Sequence, residues 1–220
     1  MSSTANLAER LASTDTGQDP DIWLPLLRLL GKGQPVQIDT LAAAAAKTIP
    51  EIIRALARVP DTEYDDNGRI IGQGLTLKPT RHHIEINDTK LYTWCALDTL
   101  IFPAILGASA HVESSCQASG APIRITITTS GVTSVQPAGA VVSLVNPEDM
   151  TSVRSAFCNQ VHFFASAKAA GPWLAAHPGG SILPIEDAYR LGTTIAENLL
   201  PEAPEQPPSS SGAGAASCCC

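Results

Sequence analysis

The feature that most constrains this sequence is an almost wholly apolar stretch from residue 92 to residue 107, YTWCALDTLIFPAILG. Its apolar residues show no helical stripe, which predicts a helix buried on most sides rather than a surface helix. Two reactive side chains, Cys95 and Asp98, interrupt the run. A separation of three residues places both on one face of a helix, so the sequence predicts a thiol beside a carboxyl group in an apolar environment.

The thiol and the carboxyl group are expected to titrate in opposite directions. With Thr93 as the N-cap, Cys95 lies in the first turn, where free backbone N–H groups and the helix dipole favour a thiolate. Desolvation raises the pKa of a buried carboxyl group, so Asp98 is expected to hold a proton. A nucleophile beside a stored proton is an arrangement suited to catalysis. Pro103 is expected to kink or split the helix, since its ring displaces the bond to the Thr99 carbonyl.

Simple packing is the alternative interpretation of Cys95, because buried cysteines commonly do no more than fill space. Asp98 favours a functional interpretation. A carboxyl group in an apolar stretch costs free energy unless it is hydrogen-bonded or takes part in chemistry.

The bulk properties of the 220 residues exclude several classes of protein. A net charge of −7 and a pI of about 5.1 argue against broad binding of nucleic acid or anionic membranes. The first ten residues lack the apolar core of a signal peptide, and no apolar run is long enough to span a membrane. We therefore expect a soluble cytoplasmic protein whose six cysteines are thiols rather than disulfides.

The pattern along the chain predicts an α+β fold in which a winged-helix-like helical module, residues 1–88, packs on a core of antiparallel or mixed β-sheets with flanking helices, residues 89–200. The module is predicted from helices at 4–14, 20–31, 39–45 and 51–59, a turn at 65–68, and strands at 70–71, 75–77 and 82–86. In the core we expect strands at 110–116, 123–128, 140–145 and 161–164 and helices at 167–176 and 185–199. Residues 201–220 are rich in Pro, Ser and Gly, end in Cys218, Cys219 and Cys220, and are predicted to be disordered.

Winged helices often bind DNA, so a metal- or thiol-sensing transcription regulator is the alternative function. The charges of the module disfavour it. The presumptive recognition helix offers only Arg54 and Arg58, and the predicted wing, residues 61–66, is acidic where a phosphate-facing wing is basic. We expect a structural or substrate-covering module that does not bind nucleic acid.

Three cysteines lie inside the predicted fold: Cys95 on a helix, Cys116 at a strand end, and Cys158 between a loop and a strand. No C-x-x-C pair is present among them, which excludes zinc-ribbon and thioredoxin-type motifs. Cys158 and His162 are spaced to share a Cys₃His zinc site with Cys95 and Cys116. A zinc-stabilised binding module therefore remains a second alternative.

Four blocks of the sequence resemble those of the bacterial organomercurial lyases (alkylmercury lyases). The blocks are Leu91 to Pro103, Cys116 to Pro122, Pro137-Ala138-Gly139, and Arg154 to Cys158 followed by Val161 to Phe164. The similarity extends from about residue 5 to residue 200, and the Cys218–Cys220 tail departs from the family pattern. The family's two catalytic cysteines and its aspartate map onto Cys95, Cys158 and Asp98, whereas Cys116 matches a cysteine regarded as structural.

The resemblance implies cleavage of the carbon–mercury bond by protonolysis, giving a hydrocarbon and Hg(II). One thiolate captures the organomercurial, the second adds electron density at the soft metal, and Asp98 passes a thiol proton to carbon. Hg(II) then stays on Cys95 and Cys158, with Asp98 as a possible further ligand. The resemblance also implies that no cofactor is needed, that external thiols release the metal, and that mercuric reductase accepts it.

Overall fold

The computed structural model describes residues 3–13 and 16–200. The α-helices of this part of the chain are α1 (Ser3–Leu11), α2 (Pro20–Leu30), α3 (Ile38–Ala45), α4 (Ile49–Leu56), α5 (Asp98–Leu106), α6 (Val153–Ala156), α7 (Ala167–Ala176) and α8 (Ile185–Leu199). The strands are β1 (Glu63–Tyr64), β2 (Ile70–Gln73), β3 (Leu75–Thr76), β4 (His82–Ile86), β5 (Thr89–Thr93), β6 (Ala110–Ser115), β7 (Pro122–Thr128), β8 (Gly131–Gln136), β9 (Val141–Leu144), β10 (Phe163–Phe164) and β11 (Ser181–Pro184). The tail predicted to be disordered, with Cys218, Cys219 and Cys220, lies outside the described residues.

The strands form two sheets, which confirms the predicted α+β class. One has eight strands in the order β1-β2-β3-β5-β4-β6-β7-β8, and the other has three in the order β10-β9-β11. Every strand pairing within the described residues is antiparallel, so the sheets are antiparallel rather than mixed. No helix of the described residues is both long enough and apolar enough to cross a membrane.

Local capping explains the helices of the N-terminal module. The Asp19 side chain accepts a hydrogen bond from the Asp21 N–H at the start of α2, and Thr48 and Glu51 form a capping box on α4. Asp39, where the predicted helix 39–45 begins, lies inside the first turn of α3 and is not its N-cap. The N-cap is Gln37, and the Asp39 carboxylate instead accepts from the Thr40 N–H at 2.6 Å.

The module and the core share the large sheet. Strands β1 and β2 are joined by the predicted turn, where the Asp65 carboxylate accepts from the Asn67 N–H and Gly68 has φ +72°. Strand β3 then pairs with β5, with Leu75 opposite Thr93. The wing strands therefore end beside the segment that carries Cys95.

The predicted helix over residues 92–107 begins only at Asp98, which corrects the expected position of Cys95. Thr93 is the last residue of β5, where it pairs with both Leu75 and His82, and this pairing holds the chain extended. Cys95 consequently lies in the loop before α5, and Thr93 is not a helix cap. Helix α5 is buried along most of its length, as predicted, and Pro103 does not split it.

The region around Cys158 also differs from its predicted form. The strand expected over 161–164 is limited to Phe163–Phe164, and Cys158 begins a short 3₁₀-helix, Cys158–Gln160, directly after α6. The sequence pattern also missed β11, which pairs with β9 along its whole length. Helices α7 and α8 have the predicted bounds, and the Ser166 side chain caps α7 by accepting from the Ala169 N–H.

Candidate active site

Two sulfur atoms and a carboxylate oxygen lie close together in the interior of the fold. The Sγ atoms of Cys95 and Cys158 and an oxygen of Asp98 all lie within 4.8 Å of one another. The three residues are 0%, 5% and 8% exposed, respectively. Within residues 3–13 and 16–200 this is the one group of three or more His, Cys, Asp or Glu side chains that are close enough to hold a common metal ion.

Hydrogen bonds fix the loop that carries Cys95. The Thr93 hydroxyl donates to the Cys95 carbonyl at 2.8 Å, and the Cys95 N–H donates to Asp98 Oδ2 at 3.1 Å. The Ala96 N–H donates to the carbonyl of Val161, which follows the 3₁₀-helix, at 3.2 Å. The loop is therefore tied both to Asp98 and to the segment that carries Cys158.

The segment that carries Cys158 is anchored by the residues just before β1. The Asp61 carboxylate accepts hydrogen bonds from the Ser152 hydroxyl and the Arg154 N–H, at 2.9 and 3.2 Å. Backbone hydrogen bonds between near neighbours hold α6 and the 3₁₀-helix together. In one of them the Phe157 N–H donates to the Val153 carbonyl. Asp61 was interpreted as part of an acidic wing, but its carboxylate contacts the segment that carries Cys158.

The carboxyl group at the site has a raised pKa, which is the direction predicted from its apolar surroundings. Burial raises the pKa of Asp98 to about 7, although contacts with the Cys95 thiol and the backbone N–H groups of Cys95 and Trp94 act in the opposite direction. Asp98 can therefore take up or release a proton near neutral pH.

The thiols depart from the expectation of a resting thiolate at Cys95. Burial, together with the hydrogen bond to Cys158 and the charge of Asp98, raises the pKa of the Cys95 thiol well above its usual value. For Cys158 the hydrogen bond from Cys95 lowers the pKa, but burial and the charge of Asp98 outweigh it, so the pKa is raised. The helix dipole fails to produce a thiolate because Cys95 precedes α5 and is fully buried.

Beside the three residues is a small apolar cavity with a free volume of about 40 Å³. Asp98 and Cys158 lie in its wall, with side chains from both the helical module and the core. The apolar and aromatic residues of the wall are Leu11, Trp23, Trp94, Ile101, Phe102, Val153, Phe157 and Ile195. Because α1 and α2 contribute Leu11 and Trp23, the helical module forms part of the cavity wall. Its role as a substrate cover stays a prediction.

Cys116 and His162 do not join this group, so the predicted Cys₃His set does not assemble. Cys116 lies in a separate turn after β6, where its N–H donates to the Ala121 carbonyl and its carbonyl accepts from the Gly120 N–H, both at 2.8 Å. Burial lowers the pKa of His162 to about 4, so its imidazole is neutral at physiological pH.

Two charged residues beside the site were not identified from the sequence: Glu63 and Arg154. Arg154 Nη1 contacts Glu63 Oε1 at 2.8 Å, and the guanidinium lies over the Trp94 ring, 4.7 Å from its centroid. Glu63 was interpreted as part of an exposed acidic wing. The sequence contains one indication of this arrangement. Gly72 interrupts a strand-like stretch, and a glycine inside a strand often marks the place where another group approaches the backbone closely.

Known proteins match this chain over almost its whole length. Residues 75–197 match the family model described as alkylmercury lyase, and residues 3–74 match the helix-turn-helix domain of alkylmercury lyase. This chain belongs to the alkylmercury lyase family. The curated alkylmercury lyase of Streptomyces lividans is 52% identical over 204 residues, which cover 90% of this chain and 95% of the relative. That of Pseudomonas putida is 43% identical over 201 residues, covering 90% and 93%.

A solved structure shares the fold. The crystal structure of the mercury-bound form of MerB2 has a TM-score of 0.73 and 25% identity, and covers 88% of this chain and 98% of that one. The helix-turn-helix match belongs to the lyase family itself, so the comparisons do not favour the transcription-regulator interpretation.

Proposed function

We propose that this chain cleaves the carbon–mercury bond of organomercurials by protonolysis, with Cys95 and Cys158 as mercury ligands and Asp98 as the proton relay. The observation that carries the proposal is the approach of two thiols and one carboxyl group to within 4.8 Å in a buried, apolar setting. Thiolates are the preferred protein ligands of soft metals, and mercury(II) is soft.

The chemistry begins with exchange of the substrate's thiolate ligand. An organomercurial R–Hg–SR′ enters the cavity, and one cysteine displaces R′S⁻ to form a sulfur–mercury bond. Because both cysteine pKa values are raised, the attacking thiol must give up a proton, and Asp98 is close enough to accept it. That proton, or an equivalent one from solvent, neutralises R′S⁻.

Cleavage follows when the second cysteine binds mercury. Its sulfur adds electron density at the metal, the carbon becomes more basic, and its thiol proton passes through Asp98 to carbon. The carbon–mercury bond breaks and R–H leaves, while Hg(II) is held by the two sulfurs. Two thiol protons are consumed, one in R′SH and one in R–H, so the reaction needs no oxidant or reductant.

The size and apolar lining of the cavity favour small or flat apolar organic groups as the R substituent. Its wall near Asp98 and Cys158 is aromatic and aliphatic, which excludes water from the carbon that is to be protonated. A pKa of about 7 lets Asp98 both receive and return a proton at neutral pH.

Release of the product requires partners outside the chain. Two buried thiolates bind Hg(II) strongly, so turnover requires external thiols that exchange onto the metal. The proposal therefore includes a reducing cytoplasmic location, cellular thiols as the releasing agents, and mercuric reductase as the acceptor of Hg(II). No organic cofactor enters any step.

The direct test is incubation of the purified chain with methylmercury and excess thiol, with methane measured in the headspace. We expect methane in amounts equal to the Hg(II) formed. The heat-denatured chain, with thiol at the same concentration, is the control for uncatalysed loss. Absence of methane above that control contradicts the proposal.

A further inference from the structure

The first strand of the wing, β1, carries a buried carboxylate that contacts residues beside the active site. Glu63 lies on β1, and its side chain is 8% exposed. Glu63 Oε2 accepts hydrogen bonds from the Thr76 hydroxyl on β3 and from Trp94 Nε1, the latter at 3.3 Å. Glu63 Oε1 accepts from Arg154 Nη1 at 2.8 Å. One carboxylate thus contacts a neighbour of Cys95 and a residue close to Cys158.

The local structure is shaped to hold this carboxylate. Glu63, Gly72 and Thr76 lie side by side on β1, β2 and β3. A Cβ atom added at Gly72 would lie 2.2 Å from Glu63 Oε2 and 2.6 Å from the Thr76 hydroxyl. Only glycine at the central strand lets the carboxylate pass across to Thr76, so the sheet contains a fitted position for a charged group.

The charge of Glu63 is stable in this position. Burial alone would raise the pKa of the carboxyl group, but the hydrogen bonds from Thr76, Arg154 and Trp94 outweigh burial and lower it. An ionised carboxylate that is buried without a partner is very costly, whereas one with a guanidinium and two neutral donors is well satisfied. Glu63 and Arg154 therefore depend on each other for their place in the fold.

Of the residues hydrogen-bonded to Glu63, Arg154 and Trp94 are the two that lie beside the reacting groups. The guanidinium stacks on the Trp94 indole, and the charge of Arg154 acts on both Asp98 and Cys158. Trp94 forms part of the cavity wall together with Asp98 and Cys158. A shift of either side chain therefore changes the position of a charge or a wall beside the mercury ligands.

We propose that Glu63 is a positioning residue for carbon–mercury cleavage, which clamps Arg154 onto Trp94 and so holds the two cysteine-bearing segments in reactive register. This inference rests on the proposed function and extends it to the helix-turn-helix module. In this module the wing supplies an inward-facing anion to the active site.

The test compares Glu63→Gln with Glu113→Gln. Glutamine keeps the size of the side chain but loses the charge that holds Arg154. Glu113 is a matched control, since it pairs with Arg124 at 3.3 Å on the sheet surface with both side chains more than half exposed. The rate of methane release is measured in a single turnover at saturating methylmercury, and the fraction of active molecules by titration with Hg(II).

We expect Glu63→Gln to lower the single-turnover rate by about tenfold to a hundredfold, because small displacements of reacting groups have effects of this size. Its Hg(II)-binding capacity is expected to stay full, and Glu113→Gln to cleave within about twofold of the wild type. A rate for Glu63→Gln equal to that of Glu113→Gln overturns the inference. So does a loss of rate that only matches a loss of Hg(II)-binding sites, because that result describes a structural role.

A spectroscopic measurement separates this inference from the proposed function. The chain has three tryptophans, so labelling with 5-fluorotryptophan gives three ¹⁹F signals, and Trp94→Phe identifies one of them. We expect the Trp94 signal to shift in Glu63→Gln and to stay in place in Glu113→Gln. An unmoved signal contradicts the clamp even if the wild type cleaves methylmercury. A shifted signal in a chain whose wild type releases no methane locates the failure in the proposed function.

Arg154→Lys addresses the same contact if Glu63→Gln does not fold. Lysine keeps the positive charge but lacks the planar group that stacks on Trp94 and meets a carboxylate. We expect a slower single turnover and a displaced Trp94 signal. A normal rate with an unmoved signal in this variant would also overturn the clamp.

Discussion

Cys116 and the Cys95–Cys158 pair are almost equally buried, yet they lie in opposite chemical surroundings. Burial would raise the pKa of the Cys116 thiol, but the Ser119 hydroxyl and the backbone N–H groups of Ala165, Ser119 and Ala118 outweigh it and lower the pKa. The pKa values of Cys95 and Cys158 are raised. Of the three cysteines among the described residues, the one with the lowered pKa is therefore the one outside the candidate active site.

The comparison shows what the proposed chemistry requires of a cysteine. A cysteine that is already a thiolate in the resting protein can accept hydrogen bonds and bind mercury, but it has no proton to give to the reaction. Protonolysis consumes protons, so a thiol that loses its proton only when mercury arrives supplies both the ligand and the acid. In the proposed mechanism this transfer runs through the carboxyl group of Asp98, which lies near the Cys95–Cys158 pair and is not among the hydrogen-bond partners of Cys116.

The largest difference between the two environments is expected from serine substitutions. Cys95→Ser and Cys158→Ser should each reduce cleavage of methylmercury to background, because a hydroxyl is a poor ligand for mercury. Cys116→Ser should keep most of the wild-type single-turnover rate. Methane release is measured for all three variants after circular dichroism has shown that they fold. A folded, inactive Cys116→Ser would show that the assignment of the pair is wrong.

The second difference concerns the carboxyl group that only the pair possesses. Asp98→Asn keeps the size of the side chain but cannot relay a proton, so it should bind the organomercurial and cleave it about 10²–10⁴-fold more slowly. In D₂O the wild type should release hydrocarbon with one solvent-derived deuterium, since Asp98 exchanges its proton between turnovers. Near-normal cleavage by Asp98→Asn, or hydrocarbon without deuterium, would contradict protonolysis through Asp98.

The third difference is in the pH dependence of stability. The pKa of Asp98 rises from an ordinary 3.8 to about 7 on folding, so the folded protein binds this proton more tightly than the unfolded chain. The associated stability is fully present below pH 3.8 and is lost as the pH rises through about 7. The change corresponds to about 4 kcal/mol.

Asp98→Asn isolates that contribution. We expect the free energy of unfolding of the wild type, minus that of Asp98→Asn, to fall by about 4 kcal/mol between acidic and mildly alkaline pH. Urea denaturation of both proteins across this range provides the measurement. Titrating groups that do not interact with Asp98 are the same in both proteins and cancel in the difference. The range ends below the usual pKa of a thiol, so Cys95 and Cys158, whose pKa values depend on Asp98, stay protonated throughout. A difference that stays constant with pH would show that Asp98 has an ordinary pKa.

Short-range patterns account for the parts of the fold that were predicted correctly. Ser166 caps α7 with its own side chain, and the Asp65–Gly68 turn closes β1 and β2 through local bonds. The strand β4, the helix α8 and the antiparallel β6–β7 pair follow from regular alternation or helical spacing. These elements need no knowledge of distant residues.

The errors lie where a distant partner decides the local structure. Thr93 is in a strand because Leu75 and His82 pair with it, and no pattern within residues 92–107 contains that information. Cys95 therefore belongs to a loop, and the expected thiolate was wrong. Cys95 and Asp98 were nevertheless recognisable as a pair from their spacing of three residues, whereas Cys158 was assigned to the site only by the resemblance to the alkylmercury lyases. Glu63 and Arg154 are 91 residues apart and were not recognised.

The smallest expected effect is the cost of Cys116→Ser, which tests the structural side of the comparison. The pKa of the Cys116 thiol is lowered by the Ser119 hydroxyl and by the backbone N–H groups of Ala118, Ser119 and Ala165, which are donors close to the sulfur. Serine retains an acceptor, but its shorter bond to Cβ moves that acceptor away from donors set for sulfur. We expect the free energy of unfolding to fall by about 1 kcal/mol, the typical value of one weakened hydrogen bond. Urea denaturation at neutral pH measures this change, and Cys116→Ala, which leaves the donors without any acceptor, should cost more. If Cys116→Ala were as stable as Cys116→Ser, the donors would not be holding the sulfur, and hydrogen bonding to Cys116 would not distinguish the two cysteine environments.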